Sequence, residues 1–318
     1  MASARKRNRL SRACCTLAMN DFLSVRAKNV ATLATCSLLI CGPILAANAD
    51  ENYFGYSYGA EVLPRGKVEA YSWTTGRFGK GKGVYSAYDF KQELEYGVTD
   101  RFQIGVYVNE VYHRFSGGPL ADSGKDVAKH RNRFSYQGNE VEFKYMVLNP
   151  LKDPVGLALL VEPEYKLANS VSGDKDLELE LAGKVILQKN FLDDQLITVL
   201  NVATEFEWER PRPSRGESFK NNMLWEVSDG VSYRIASGWF IGVEGLYHTE
   251  FEGVNIHNQG HWAIFVGPTL HYATQRWWAT LTWLPQVIGG PTDDSRSSQL
   301  HLGEQARNEV RLKIGFDF

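Results

Sequence analysis

From residue 67 onward, the chain consists of segments in which apolar and polar side chains alternate at nearly every position. In the segment 176–188, the leucines of 177–181 alternate with Glu178 and Glu180. A side chain that points the opposite way at each step is typical of a β-strand whose two faces meet different environments. The aliphatic face would be the core of a soluble sandwich or the lipid-facing surface of a membrane barrel.

About twelve such segments follow one another, with almost no helical periodicity between them. Each has ten or more residues, which is near the length that a tilted membrane-spanning strand needs and longer than the common globular strand. The predicted strands are 67–78, 86–98, 101–114, 136–148, 155–167, 176–189, 195–209, 219–235, 239–251, 261–273, 276–287 and 306–318.

The connections between these strands alternate in length. Those after even-numbered strands are short, such as "ASG" at 236–238, whereas the longest ones, 116–133 and 288–305, follow odd-numbered strands. Short periplasmic turns, long outer loops and an even strand number are typical of bacterial outer-membrane barrels, and a Greek-key sandwich has no reason to show them. The sequence therefore predicts an all-β fold, a transmembrane antiparallel up-and-down β-barrel of about 12 strands.

The N-terminal region differs in composition from the rest. A basic start is followed by an apolar run that ends in Ala47-Asn48-Ala49, and this pattern predicts a secretory signal peptide over 1–49, cleaved after Ala49. Either Met1 or Met19 is a possible start. All four cysteines lie in this region, so the mature chain has no disulfide framework.

The predicted domain organisation continues with an N-terminal periplasmic segment, 50–64, and a barrel, 65–318. A short insert in the lumen is the alternative for 50–64. The mature chain carries 28 basic and 36 acidic residues, a net charge of −8 with neutral histidines. No stretch is basic enough to indicate nucleic acid, and no later apolar run is long enough for a transmembrane helix. The predicted partners are the outer-membrane lipid bilayer and small solutes.

The C-terminal stretch "NEVRLKIGFDF" ends the chain on an aromatic residue. It resembles the assembly signal of Gram-negative outer-membrane barrels, which implies the cell outer membrane as location and the barrel-assembly machinery as a partner. The apolar face of this signal consists of Val310, Leu312, Ile314, Phe316 and Phe318.

Aromatic side chains and prolines add two further expectations. Girdles of aromatic residues are expected at both membrane interfaces, and five tryptophans lie near predicted strand ends: Trp208, Trp239, Trp262, Trp277 and Trp278. Prolines inside strands remove a ladder hydrogen bond. We expect Pro163 or Pro268 at a bulge and Pro285 at an early strand end.

Two stretches carry a more specific resemblance. "VLPRGKVEAYSW" and "LEYGVTDRFQIGVYV" resemble a large proteobacterial group of outer-membrane proteins associated with phenol-degradation (MetA-type) pathways. The shared pattern is a Pro-x-Gly entry, a strand, the turn "GVTDR" and a second strand. The resemblance implies the barrel fold and the outer membrane, and it implies no catalytic residue and no substrate.

A Glu-x-Glu phrase recurs on five predicted strands. A carboxylate that faces hydrocarbon costs a few kcal/mol, so we predict that these side chains line the lumen together with basic partners, among which Lys91, Lys166 and Arg234 also share the inward faces. The predicted lumen-lining residues are Glu93, Glu95, Glu140, Glu142, Lys144, Glu162, Glu164, Glu178, Glu180, Lys184, Glu205, Glu207, Arg311 and Lys313.

These charges allow two hypotheses. In the first, the lumen holds water and the protein is a passive, porin-like channel for small solutes, in which carboxylates favour cations. In the second, charges pair across the lumen into a plug, and the protein is a structural or adhesion-type barrel whose outer loops make the contacts.

A membrane lipid hydrolase is the third and weakest hypothesis. That chemistry needs a hydroxyl and an imidazole within hydrogen-bond reach, and His271 near Thr274 and His248 next to Thr249 do not form such a pair in the sequence pattern. His257 and His261 have a helical metal-pair spacing but fall in a predicted loop without a third ligand. We predict no enzyme activity, no cofactor and no metal site.

Overall fold

A computed structural model describes residues 52–81, 83–116, 130–211, 219–292 and 299–318. The predicted signal peptide and its cysteines lie outside these residues. A helix with the length and apolarity needed to cross a bilayer is absent from the described part of the chain.

Twelve antiparallel strands form one closed barrel in which each strand pairs with its neighbours in the chain. Strand β1 also pairs with β12, from Glu69 opposite Asp317 to Phe78 opposite Asn308, so that the sheet has no free edge. The predicted fold is confirmed. The strands are β1 (Val68–Phe78), β2 (Val84–Thr99), β3 (Phe102–Ser116), β4 (His130–Leu148), β5 (Gly156–Ala168), β6 (Lys175–Phe191), β7 (Leu196–Pro211), β8 (Lys220–Ala236), β9 (Trp239–Glu252), β10 (Gln259–Ala273), β11 (Trp277–Gly290) and β12 (Asn308–Asp317).

Most predicted strand ends agree closely with the observed ones, and the largest difference is at the start of β4. This strand begins at His130 instead of residue 136, because its polar first residues pair with the end of β3, where Arg131 lies opposite Phe115. The alternation of connection lengths is also less strict than predicted, since the connection 149–155 at the short-turn end is longer than 79–83 at the long-loop end.

The outer surface of the barrel is apolar. In β6, Leu179 and Leu181 are 43% and 42% exposed, whereas Glu178 and Glu180 are 7% and 6% exposed. The same outward exposure of Val, Leu, Ile and aromatic side chains recurs on the other strands. A continuous apolar surface of this kind is not found on soluble monomers and is the surface that a barrel presents to lipid.

Trp278 does not belong to the predicted aromatic girdle. Trp239 and Trp277 are exposed on the outer surface near short turns, whereas Trp278 is 2% exposed and points into the barrel. Its indole lies opposite Gly315, which leaves room for the ring, and donates a hydrogen bond to Glu69. Because Trp277 and Trp278 are adjacent in one strand, only one of them can face lipid.

The prolines lie inside strands in an arrangement that differs from the expected one. Pro285 does not end its strand, because β11 continues to Gly290. Pro163 lies in regular register opposite Leu181. Between β10 and β11, the pairing passes from Phe265 directly to Thr269, so Pro268 is paired only with β9, opposite Val243, and Pro285 only with β12, opposite Asn308.

Residues 52–63, hereafter the inner segment, lie inside the barrel and not in the periplasmic position predicted for 50–64. Phe54 and Ala60 are completely buried. The first packs in a cluster with Val199 and Phe240, and the second in a cluster with Leu160 and other residues of β5 and β6. The segment is rich in Tyr, Phe and Gly, and burying these aromatic rings against inward-facing apolar residues removes them from water.

Candidate functional site

The inner segment is bound to the barrel wall through its backbone. The N–H groups of Gly55, Tyr56 and Ser57 donate hydrogen bonds to the Glu244 carboxylate at 2.8, 2.9 and 2.9 Å. Glu244 is completely buried in β9. Buried backbone groups outside a sheet need such partners, and bonds to an ionised acceptor are stronger than neutral ones.

Three amide side chains continue this attachment. Asn201 accepts a hydrogen bond from the Tyr58 N–H at 2.6 Å and donates one to the Tyr58 carbonyl at 3.0 Å. Gln188 accepts from the Ala60 N–H at 2.7 Å, and Gln103 accepts from the Leu63 N–H at 2.8 Å. Each amide offers a donor and an acceptor, as a neighbouring strand would. These contacts with β7, β6 and β3 follow those with β9, so the segment crosses the lumen.

Basic side chains of the wall contact the same segment. The Arg311 guanidinium carbon lies 3.8 Å from the ring centre of Tyr56. The Lys184 ammonium lies 3.7 Å from the ring centre of Tyr58, and Lys313 donates a hydrogen bond to Asn52 at 3.3 Å. Cation–π contacts in a desolvated setting contribute about 1–2 kcal/mol each. These basic residues thus bind the inner segment as well as facing the lumen.

The strand register aligns four glutamates into one row across β4 to β7. Glu140 lies opposite Glu164, Glu164 opposite Glu180, and Glu180 opposite Glu207. We call these four residues the acidic row. Like charges in directly opposed positions destabilise a sheet, so the row requires compensation by nearby cations.

Two lysines supply part of this compensation. The Lys91 ammonium lies 2.6 Å from Glu140. The Lys166 ammonium forms a hydrogen bond with Glu180 and lies 3.8 Å from Glu164 and 3.9 Å from Glu178. A single lysine therefore serves three carboxylates, and negative charge remains in excess around it.

A cavity of about 330 Å³ lies inside the barrel, bounded by Tyr56 and Tyr58 of the inner segment. Its lining contains seven glutamates and three basic residues. These charged residues are Glu140, Glu162, Glu164, Glu180, Glu205, Glu226, Glu309, Lys91, Lys184 and Arg311.

The remaining predicted lumen residues lie outside this cavity. Glu178 and Glu207 lie in a group with Glu180, with carboxylate oxygens within 4.8 Å of one another. The others are buried on the wall formed by β2, β4 and β12. They are Glu93, Glu95, Glu142, Lys144 and Lys313.

Three inward-facing carboxylates are not among the predicted lumen-lining residues. Glu226, Glu244 and Glu309 face the interior singly and not in Glu-x-Glu phrases. Their inward orientation was readable from the alternation, since Glu226 stands between the outward-facing Trp225 and an apolar residue. The same alternation, applied to single acidic residues as well as to Glu-x-Glu pairs, predicts their orientation.

Among the described residues, the histidines considered for a metal or a hydrolase have other partners. His257 is exposed in a loop, whereas His261 points inward, 3.6 Å from Glu250, and stacks on His301 with ring centres 4.8 Å apart. His271 bonds with the Thr280 hydroxyl at 2.7 Å and is buried behind Tyr53, so its imidazole does not face lipid.

Comparison with solved structures shows the same fold in the COG4313 outer membrane channel from Pseudomonas putida F1. The two structures align with a TM-score of 0.53 and 11% sequence identity, and the alignment covers 85% of this chain and 99% of that one. The KdgM porin in complex with disordered oligogalacturonate gives a TM-score of 0.40, 11% identity, and coverage of 79% and 99%. LpxR from Salmonella typhimurium gives a TM-score of 0.42, 9% identity, and coverage of 78% and 100%.

The closed twelve-stranded barrel and its apolar outer surface are those of a protein of the cell outer membrane, embedded in its lipid bilayer. A sequence comparison with curated proteins gives no match. A family profile matches residues 46–318, and the chain therefore belongs to the family of unknown function DUF6662.

Proposed function

We propose that the protein is an outer-membrane channel for small cationic solutes and that the inner segment closes it in the state described. The observation that carries this proposal is the acidic cavity inside the barrel, with seven glutamates against three basic residues in its lining. Fixed carboxylates in a confined lumen attract cations and repel anions.

The size of the cavity limits the solute. Its volume of about 330 Å³ is at the lower end of the roughly 300–1,000 Å³ that small-molecule sites occupy. Inorganic cations and small organic amines match both this volume and the charge of the lining. A larger solute would require displacement of Tyr56 and Tyr58.

The attachment of the inner segment supports its role as a closing element. Its backbone bonds go to the side chains of Glu244, Asn201, Gln188 and Gln103. None of these bonds belongs to the strand ladders of the wall, so the segment can leave the lumen without breaking a strand pair. This separation permits opening while the barrel stays folded.

A second candidate function is a structural or adhesion-type barrel with a permanently plugged lumen. The observation in its favour is the density of contacts that the inner segment makes, including the Arg311 contacts with Tyr56 and with the Gly55 carbonyl, the latter at 3.1 Å.

A link to phenol-degradation pathways rests on the "VLPRGKVEAYSW" resemblance, and uptake assays with phenolic solutes would test it. The hydrolase hypothesis gains no support from the inward-facing His271.

Reconstitution in planar bilayers under a KCl gradient tests the channel proposal. We expect single-channel steps whose reversal potential indicates cation selectivity. Replacement of Glu180 and Glu205 by Gln should move the reversal potential toward zero, whereas Glu252→Gln, at the exposed end of β9, should leave it unchanged. The absence of steps at all voltages, together with no solute-driven swelling of proteoliposomes, would favour the plugged barrel.

A further inference from the structure

Four buried carboxylates lie side by side on the wall formed by β1, β2 and β4, apart from the acidic row. Glu69, Glu93, Glu95 and Glu142 are each no more than 4% exposed. Glu69 lies opposite Glu95, and both Glu95 and Glu142 lie opposite Gly105. Because Gly105 has no side chain, these acids approach each other closely: a Cβ at Gly105 would lie 3.3 Å from both Glu142 and Glu93.

The hydroxyl protons in this group are too few for its carboxylates. The Tyr71 hydroxyl lies 2.8 Å from Glu69 and 2.9 Å from Glu95, with a single proton for the two acceptors. The Tyr107 hydroxyl donates to Glu142 at 2.9 Å. Tyr71 and Tyr107 are the cross-strand neighbours of Glu93, yet their hydroxyl groups bind the other three acids.

Among the described residues, Glu93 has no hydrogen-bond partner. It is 4% exposed, and neither of its carboxylate oxygens receives a hydrogen bond from the described residues. An ionised carboxylate buried in this way is strongly disfavoured unless a proton or a cation neutralises it. Lys144 and Lys313 are buried on neighbouring positions of the same wall.

We propose that Glu93, Glu95 and Glu142 bind one divalent cation of the Ca²⁺ class. One carboxylate oxygen of each residue lies within 4.8 Å of those of the other two, and two oxygens bound to Ca²⁺ at about 2.3–2.6 Å can be separated by at most about twice that distance. A divalent ion would place positive charge beside the Glu93 carboxylate, which receives no hydrogen bond from the described residues. Ca²⁺ fits this low-water site better than Mg²⁺, which retains several waters.

The site is joined to the inner segment by one side chain. Gln103 accepts the hydrogen bond of the Leu63 N–H and donates to Glu142 at 3.4 Å. A cation at Glu142 would therefore be linked through the Gln103 side chain to Leu63, at the end of the inner segment. The binding proposal itself does not depend on conduction, because the site belongs to the barrel wall.

Luminescence of Tb³⁺, a stand-in for Ca²⁺, tests this site. Full-length protein in detergent micelles is freed of divalent ions with EDTA and titrated with Tb³⁺ under excitation of Tyr and Trp, since Tyr71 and Tyr107 contact the carboxylates. We expect saturable emission from one site per barrel that Ca²⁺ reverses. Glu93→Gln should weaken the apparent affinity at least tenfold, whereas Glu178→Gln, in the other acidic group, should not.

The unfolding temperature, measured with and without Ca²⁺, distinguishes loss of binding from misfolding of the variant. Glu93→Gln keeps the shape of the side chain and removes a buried charge, so in EDTA it should unfold at a temperature no lower than the parent does. Added Ca²⁺ should raise the unfolding temperature of the parent and of Glu178→Gln but not that of Glu93→Gln. Absence of Tb³⁺ and Ca²⁺ binding by the parent would show that Glu93 is protonated instead and would overturn the proposal, as would unchanged affinity in Glu93→Gln. Both outcomes concern cation binding alone and leave the channel proposal unaffected.

Discussion

The carboxylate of Glu244 accepts a hydrogen bond from the backbone N–H of Tyr56 at 2.9 Å, although the two residues are 188 positions apart in the chain. The same carboxylate also binds the N–H groups of Gly55 and Ser57. A wall residue thus anchors the first half of the inner segment with a single charged group. Weakening this anchor should change how often the lumen opens.

Replacement of Glu244 by Gln should increase the opening frequency of reconstituted channels by about fivefold or more. The Gln amide has one acceptor oxygen, whereas the carboxylate has two charged ones, so at least one N–H of the inner segment loses its partner. Leaving that N–H without a hydrogen bond costs about 1–3 kcal/mol. Single-channel recording measures the change. Glu226→Gln, which alters the cavity lining at a position opposite His248, is the matched control. An opening frequency equal to that of the parent would exclude Glu244 as the anchor of the closed state.

Replacement of Lys166 by Met should lower the free energy of unfolding by about 3 kcal/mol, because Glu164, Glu178 and Glu180 lose their shared cation. Urea titration followed by the gel mobility of folded and unfolded barrel measures this loss. Lys166→Arg retains the charge and should stay near the parent value. Lys220→Met, at an exposed position, controls for the loss of any lysine. A variant as stable as the parent would show that water and ions already screen these acids.

Replacement of Gly315 by Ala should destabilise the barrel by about 1–3 kcal/mol. A Cβ at this position would lie 2.3 Å from the indole of Trp278, so the ring would have to move and would strain its bond to Glu69. At Gly183, a Cβ meets no atom within 4 Å, and Ala there should be neutral or slightly stabilising. The same urea titration compares both variants, and equal stabilities would contradict the inward packing of Trp278.

Replacement of Phe318 by Ala should reduce the amount of barrel assembled in the outer membrane several-fold while changing the stability of the folded protein by about 0.5 kcal/mol or less. The side chain is 72% exposed and the backbone bond from its N–H to Val68 remains. Quantification of the membrane fraction and refolding in detergent separate the two effects. Phe191→Ala, 44% exposed at the same end, should assemble normally. Normal assembly of the Phe318 variant would argue against an assembly signal.

The acidic row could be predicted from the sequence only in part. The inward orientation of Glu140, Glu164, Glu180 and Glu207 could be predicted from alternation alone, because side-chain direction in a strand depends on the neighbouring positions. Their arrangement in one row depends on the register between strands, which the pairing of whole strands decides. The position of Trp278 is a similar case, since two adjacent tryptophans leave open which of them faces inward.

The sequence by itself determined the strand pattern and the apolar outer surface, because each is a local consequence of period-two alternation. The sign of the lumen charge stays a prediction from the inward-facing residues. Only the tertiary structure decided the location of the inner segment, the carboxylate group around Glu93 and the cavity bounded by Tyr56 and Tyr58. The inner segment has no periodicity of its own. Its position follows from hydrogen bonds to Glu244, Asn201 and Gln188, which are distant in the chain and come together only when the barrel closes.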